Sequence, residues 1–296
     1  MSKAIKTITG ISRDPISHWV GDGFPVRNLL SVRREGARIS PFLLLDYAGP
    51  RRFEPAETQR GVGQHPHRGF ETVTIVYQGE VEHRDSAGHH GSIGPGDVQW
   101  MTAAAGVLHE EFHSEAFTRK GGTFEAVQLW VNLPAKDKMS PPRYQTLRNA
   151  SIPSVPLPDG AGQLRIIAGE YSGQHGPAQT FSPVNVWDLR LGAGRRLAFD
   201  LANGSMTAVV VLHGQARFNE AETLGEAQVV HFAREGGRIE VEAIDAATLL
   251  VLNGEPIDEP IASYGPFVMN TSQEIAQAIN DYQNGRLGTL QTRPSP

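Results

Sequence analysis

Two histidines one residue apart, His65 and His67 in "QHPHRGFETVTIVYQGE", stand at the start of an apolar run. Imidazole is a bulky polar ring that is costly to bury without a partner, and it is the commonest transition-metal ligand among side chains. In an extended strand residues i and i+2 project to the same face, so this pair is spaced to chelate. Further along, "AGVLHEEFH" places His109 and Glu111 on one face by the same parity. Adjacent strands that brought the two pairs together would create a site of three imidazoles and one carboxylate, with room for water or substrate. Such a nitrogen-and-oxygen donor set suits iron, manganese, nickel, copper or zinc. Glu110 has the wrong parity for that face, His113 has the right one, and Glu71 follows shortly after His67. Parity ranks Glu111 first among these and leaves its rivals in competition. His18, His83, His89, His90, His175, His213 and His231 show no partner pattern and are expected to be solvated or structural.

Composition narrows the remaining possibilities. The 296 residues contain no cysteine, so disulfides, thiolate metal sites and a cysteine nucleophile are excluded. The formal net charge is −5 and the basic residues are scattered or paired, which gives no electrostatic footprint for direct nucleic-acid binding. Nowhere do eighteen apolar residues run together, so no membrane helix is expected and a cytoplasmic protein is the reading. The serine-hydrolase elbow, the phosphate-binding loop and the zincin helix are all missing.

The elements that must position the histidines read as strands. With 32 glycines and 20 prolines punctuating β-branched runs, the chain favours many short strands over long helices. "ETVTIVYQGEVEHRD" alternates across a Gln78-Gly79 turn, and Gly94-Pro95-Gly96-Asp97 turns into another strand. "IVYQGEVEHRD" resembles "VVLHGQARFNE", and "GPGDVQWM" resembles "LGEAQVVHF", which suggests a duplicated barrel whose second copy lacks the histidine pair. Residues 1–135 are expected to form the metal-binding barrel, 136–162 a proline-rich linker, and 163–296 a second, degenerate barrel. "NTSQEIAQAINDYQNGRLG" reads as a short amphipathic C-terminal helix packed on a barrel, followed by a frayed tail "LQTRPSP".

The stretches "HPHRGFETVT", "GDVQWMTAAAGVLHEE", "QLWVNLP" and "GPFVMNTSQEIAQAI" resemble the pirin family of the cupin superfamily, in order and over nearly the whole chain. The resemblance implies an all-β fold of two cupin barrels in tandem, with one Fe(II) in the N-terminal barrel; Mn, Ni, Cu, Zn and Co are the alternatives. Many cupins take a glutamate from their first motif, but pirin-like proteins use one two residues after the third histidine, which is Glu111. Their pockets carry polar groups where this chain has Asp46 and Gln128. For bacterial members the resemblance implies quercetin 2,3-dioxygenase activity, with a small aromatic substrate, dioxygen, and Glu111 as the catalytic proton acceptor. For animal members it implies a metal-responsive regulator with a protein partner. A monomer is expected, because duplication already supplies two barrels.

Overall fold

The computed structural model describes residues 3–290, and so most of the expected tail lies outside the described residues. The chain is all-β apart from short helices, and it divides into two compact units, each a barrel of one seven-stranded and one four-stranded sheet.

In the unit that carries the histidines, the larger sheet runs in the order Arg143–Leu147, Val98–Thr102, Phe70–Gln78, Gly122–Asn132, Phe42–Phe53, Phe24–Ser31, Ile16–Val20. The smaller sheet runs Gly61–His67, Val107–His113, Val81–Asp85, His90–Ile93. Phe70–Gln78 and Val81–Asp85 are not partners in a hairpin, as simple alternation would suggest. They belong to different sheets, and the turn between them carries the chain from one to the other. Gly79 makes that step possible: its φ is +83°, and a Cβ there would lie 2.8 Å from the Phe124 ring. Gly94 to Asp97 form the expected tight turn, closed by the Asp97 N–H donating to the Gly94 carbonyl at 2.9 Å.

The other unit repeats the plan. Its small sheet runs Arg196–Asp200, Arg238–Ala243, Ala216–Phe218, Glu222–Leu224, and its large sheet has Gln228–Phe232, Met206–His213, Ala247–Gly254 and Val184–Leu191 in the matching central order. The repeated sequences therefore occupy corresponding strands. The interiors differ. Where the first barrel pairs His65 with His109, the second pairs Phe199 with Ile239 and Leu197 with Val241, all within one apolar cluster. Ring nitrogens are replaced by hydrocarbon, and this barrel is filled rather than open.

The units do not follow linear halves. Among the described residues, 3–16, 29–41 and 150–256 make one, while 17–28, 42–149 and 257–290 make the other. The segment expected as a linker contributes Arg143–Leu147 to one sheet edge and Ser154–Pro156 to another, because its backbone groups find ladder partners despite the prolines. The helix Ser272–Gln283 packs its Ile275 and Ala278 with Leu108, Phe267, Met269 and Leu287, in the histidine-bearing unit. Its first turn is closed by a capping box between Thr271 and Glu274. Two buried cations hold this segment down. Lys138 donates to the carbonyls of Gly69 and Val268 and to Asn132 Oδ1, and Arg68 pairs with Asp281 at 2.8 Å. Gly69, with φ +89°, has no side chain to block the approach of the Val268 carbonyl.

Candidate metal centre and its pocket

His65 and His67 lie on the strand Gly61–His67, and His109 and Glu111 on its antiparallel neighbour Val107–His113. The register pairs His65 directly with His109, and a bulge follows, so Glu111 lies opposite Val62. A bulge re-aims the side chains beside it. Ring centroids are 4.9 Å apart for His65–His67, 4.2 Å for His65–His109 and 4.8 Å for His67–His109. The donor atoms of these three histidines all lie within 4.8 Å of one another, and a second group of the same tightness joins His109 to Glu111 and His83. His109 is common to both groups, and Glu111 lies with His109 and His83.

The hydrogen bonding of the rings determines which nitrogen each can offer. His65 Nδ1 is 2.8 Å from the Gly63 carbonyl, His67 Nδ1 is 3.4 Å from the Pro266 carbonyl, and His109 Nδ1 is 3.4 Å from His83 Nδ1. Each ring thus engages Nδ1 and leaves Nε2 for something else. Among the described residues His109 Nε2 has no hydrogen-bond partner although it is fully buried, a costly situation for a polar atom that a metal ion resolves. Burial first, and then the neighbouring imidazoles, hold His67 and His109 well below the ordinary histidine range, so both are neutral and can ligate. The residues fit one divalent transition metal.

The rival ligands are accounted for. Glu110 faces away and pairs with Arg84 at 2.5 Å. Glu71 lies one step out of phase with Phe70, whose ring meets His67, and with Thr74, whose hydroxyl meets Glu111. Glu71 instead accepts from Thr102 at 2.7 Å, and burial raises its pKa to about 7. His113 continues the parity of His109 and Glu111 but enters a ring cluster, with centroids 4.6 Å from Phe53 and 4.8 Å from Phe124, and its Nε2 meets the Gly23 carbonyl at 3.0 Å.

Burial lowers the His113 pKa from 6.5 to about 4. Across that window the unfolded chain binds a proton that the folded chain refuses, so stability falls as pH drops, by up to about 3 kcal/mol for a shift of this size. His113→Phe is expected to flatten that loss. Denaturant midpoints compared at pH 7 and pH 4.5 check this, and an unchanged difference between them contradicts the assignment. His231, also lowered by burial to about 4, contributes to the remaining slope.

Above the histidines lies a cavity of about 330 Å³, within the range of small-molecule sites. Ala126, Gln128 and Trp130 reach it from alternate positions of Gly122–Asn132, and Asp46 and Ala48 from Phe42–Phe53. Asp46 and Gln128, both anticipated in the pocket, are cross-strand partners on its wall. Burial raises the Asp46 pKa, a rise moderated by the hydrogen bond from Asn28 at 2.8 Å and by the charge of His18. Thr74 Oγ1 is 2.7 Å from Gln128 Oε1 and 3.3 Å from Glu111 Oε1, and links the wall to the candidate ligand. Most of the remaining lining is apolar, with Phe24, Val26, Val81 and Phe124 prominent.

Sequence reasoning passed over His83, which is buried beside His109 and Glu111 and was expected to lack a functional partner. A signal existed: in "EVEHRD", His83 and Asp85 share a face by the same i, i+2 rule that picked out the ligand pairs.

Comparison with known proteins identifies the family and the fold. Residues 23–131 match the Pirin family and 186–288 match the Pirin C-terminal cupin domain. A Pseudomonas aeruginosa protein named "Putative quercetin 2,3-dioxygenase" is 62% identical over 95% of this chain and 98% of its own length. Human pirin is 35% identical over 95% of this chain and 93% of its own. The crystal structure of quercetin 2,3-dioxygenase from Acinetobacter baumannii superposes with a TM-score of 0.95 at 52% identity, covering 97% of this chain and all of that one. Among the described residues no helix is long and apolar enough to cross a membrane. The chain belongs to the pirin family, with two cupin domains and a histidine-rich centre in one of them.

Proposed function

We propose that the chain holds one divalent transition metal, iron(II) foremost, on His65, His67, His109 and Glu111. With it the protein would open the central ring of a flavonol such as quercetin, consuming one dioxygen and releasing one carbon monoxide. The observation that carries this reading is the buried, unpartnered Nε2 of His109, set among two further imidazoles at the foot of an apolar cavity. The names borne by the Pseudomonas and Acinetobacter relatives support the same chemistry.

When bound, the metal would supply Lewis acidity toward the substrate's enolic hydroxyl, and the electron-rich flavonolate would supply the electrons that reduce dioxygen. The protein's own residues do the rest. Glu111 accepts the hydroxyl proton, and Thr74 orients its carboxylate through the 3.3 Å contact to Oε1. With one proton to give, Thr74 serves Glu111 when the Gln128 amide is turned to donate to it, so Gln128 sets the direction of that contact. Trp130 and Phe70, with ring centroids 4.3 Å apart, form a rigid aromatic floor beside His67. The Val and Phe side chains of the lining receive a flat polyphenol and exclude water from the reacting oxygen atoms.

The test is anaerobic loading of the full chain with iron(II), followed by quercetin and oxygen. Loss of the flavonol absorbance with stoichiometric carbon monoxide is expected. A fully metal-loaded protein that leaves quercetin intact would overturn the enzymatic reading in favour of the metal-responsive binding role.

A further inference from the structure

We propose that Asp85 and His83 form a proton-ordering relay that fixes His109 in the tautomer whose Nε2 lone pair is available to a metal. The proposal rests on the reading of His109 as a metal donor and adds two positioning residues behind it.

Hydrogen-bond direction sets the tautomer of each ring. Asp85 Oδ1 is committed to the backbone N–H groups of Ala87 and His89, at 2.9 and 3.0 Å. Asp85 Oδ2 faces the His83 ring, 3.4 Å from Nε2, and the His89 ring, 3.1 Å from Nδ1. With Oδ1 accepting two backbone N–H groups and Oδ2 facing two imidazoles, Asp85 is held as the carboxylate, which is an acceptor only. A neutral His83 therefore carries its proton on Nε2, which leaves Nδ1 as a lone pair. That lone pair faces His109 Nδ1 at 3.4 Å, so His109 carries its proton there and its Nε2 is bare. This bare nitrogen is the buried atom with no protein partner.

Packing removes the freedom to do otherwise. The side chains of His83 and Asp85 are 0% and 1% exposed, so water cannot supply a missing donor. Tyr144 stacks on His83 with centroids 4.9 Å apart and planes 19° apart, which holds the ring in the plane that points one nitrogen at each neighbour. The strand register makes the arrangement reproducible: Asp85 lies opposite His109, and His83 opposite Glu111.

The decisive variant is Asp85→Asn, which keeps size and reverses polarity. The amide oxygen is retained by the Ala87 and His89 N–H groups, so the amide nitrogen takes the place of Oδ2 and donates to His83 Nε2. His83 then carries its proton on Nδ1 and donates to His109 Nδ1, which places the His109 proton on Nε2 and closes the metal position. His83→Gln is the conservative rescue, because its oxygen can accept from His109 while its NH₂ donates to Asp85; His83→Leu can do neither.

Long-range ¹H–¹⁵N correlation of the imidazoles reads the tautomer directly in the full-length chain freed of metal by a chelator, and zinc titration against a competing chelator reads affinity. The relay predicts an Nδ1–H tautomer for His109 in the wild-type chain and an Nε2–H tautomer in Asp85→Asn. Zinc affinity should fall about 10- to 100-fold in Asp85→Asn and His83→Leu, the usual effect of losing an outer-shell partner, and His83→Gln should stay near wild type. An Nε2–H tautomer in the wild type, an unchanged tautomer in a folded Asp85→Asn chain, or a second zinc held between His83 and His109 overturns the relay. The tautomer is read before metal or substrate is added. A chain ordered as stated that never consumes flavonol therefore keeps the relay and loses the dioxygenase reading.

Discussion

Alanine at His67 or His109 is expected to leave the protein nearly free of iron under loading conditions where the wild type retains about one equivalent, while His89→Ala retains it. The first two remove a nitrogen from the triad whose donors lie within 4.8 Å of one another. The loss should exceed the roughly 10- to 100-fold weakening that follows removal of an outer hydrogen-bond partner. His89 meets Asp85 and stacks on Tyr144, and Asp85 keeps its backbone donors without the ring. His109 is fully buried, so truncation also leaves a void. Thermal denaturation of each variant therefore accompanies the metal analysis, and His109→Gln, which fills more of the space, should lose metal as well. Equal metal content in all of these chains contradicts the assignment.

Glu111→Gln separates holding the metal from moving the proton. An amide oxygen can still approach a metal, but it cannot accept the substrate's proton, so bound iron should persist at reduced affinity while flavonol consumption falls about 10²- to 10⁴-fold, the usual worth of a positioned general base. The side chain is buried, and among the described residues it accepts a side-chain hydrogen bond from Thr74, which an amide oxygen can also accept. Steady-state kinetics of iron-loaded protein check this. Wild-type turnover in the variant would remove Glu111 from the reaction.

Much of this centre was legible in the sequence because strand parity is a rigid rule. Two i, i+2 pairs on neighbouring strands must each face one way, and the observed His65–His109 pairing satisfies that requirement. Parity also disposed of Glu110 correctly, since Arg84 waits for it on the opposite face. It could not decide on His113, whose side chain has the right orientation but lies further along the barrel, where Phe24, Phe53 and Phe124 close the interior. Burial by partners remote in sequence has no local signature. The terminal helix was visible for the opposite reason: its capping residues and apolar spacing are local, and Thr271, Glu274, Ile275 and Ala278 behave as the pattern requires. Its docking in the histidine-bearing unit was not visible, because it depends on Lys138 and Arg68 meeting Val268 and Asp281 across long separations in the chain. The segment 136–162 misled through its prolines, which flank the strand Arg143–Leu147 without interrupting its ladder. His83 was expected to be solvated or structural, and the burial of its partner Asp85 two residues on has no local signature.

The central claim, that one ion is clasped by three imidazoles and a carboxylate inside the first barrel, is tested most directly by anomalous diffraction at the metal absorption edge from crystals of the loaded full-length chain. A single peak is predicted about 2.0–2.2 Å from Nε2 of His65, His67 and His109 and from a carboxylate oxygen of Glu111, typical lengths for such bonds. A peak held elsewhere, or one with Glu111 beyond bonding reach in a fully loaded chain, contradicts it.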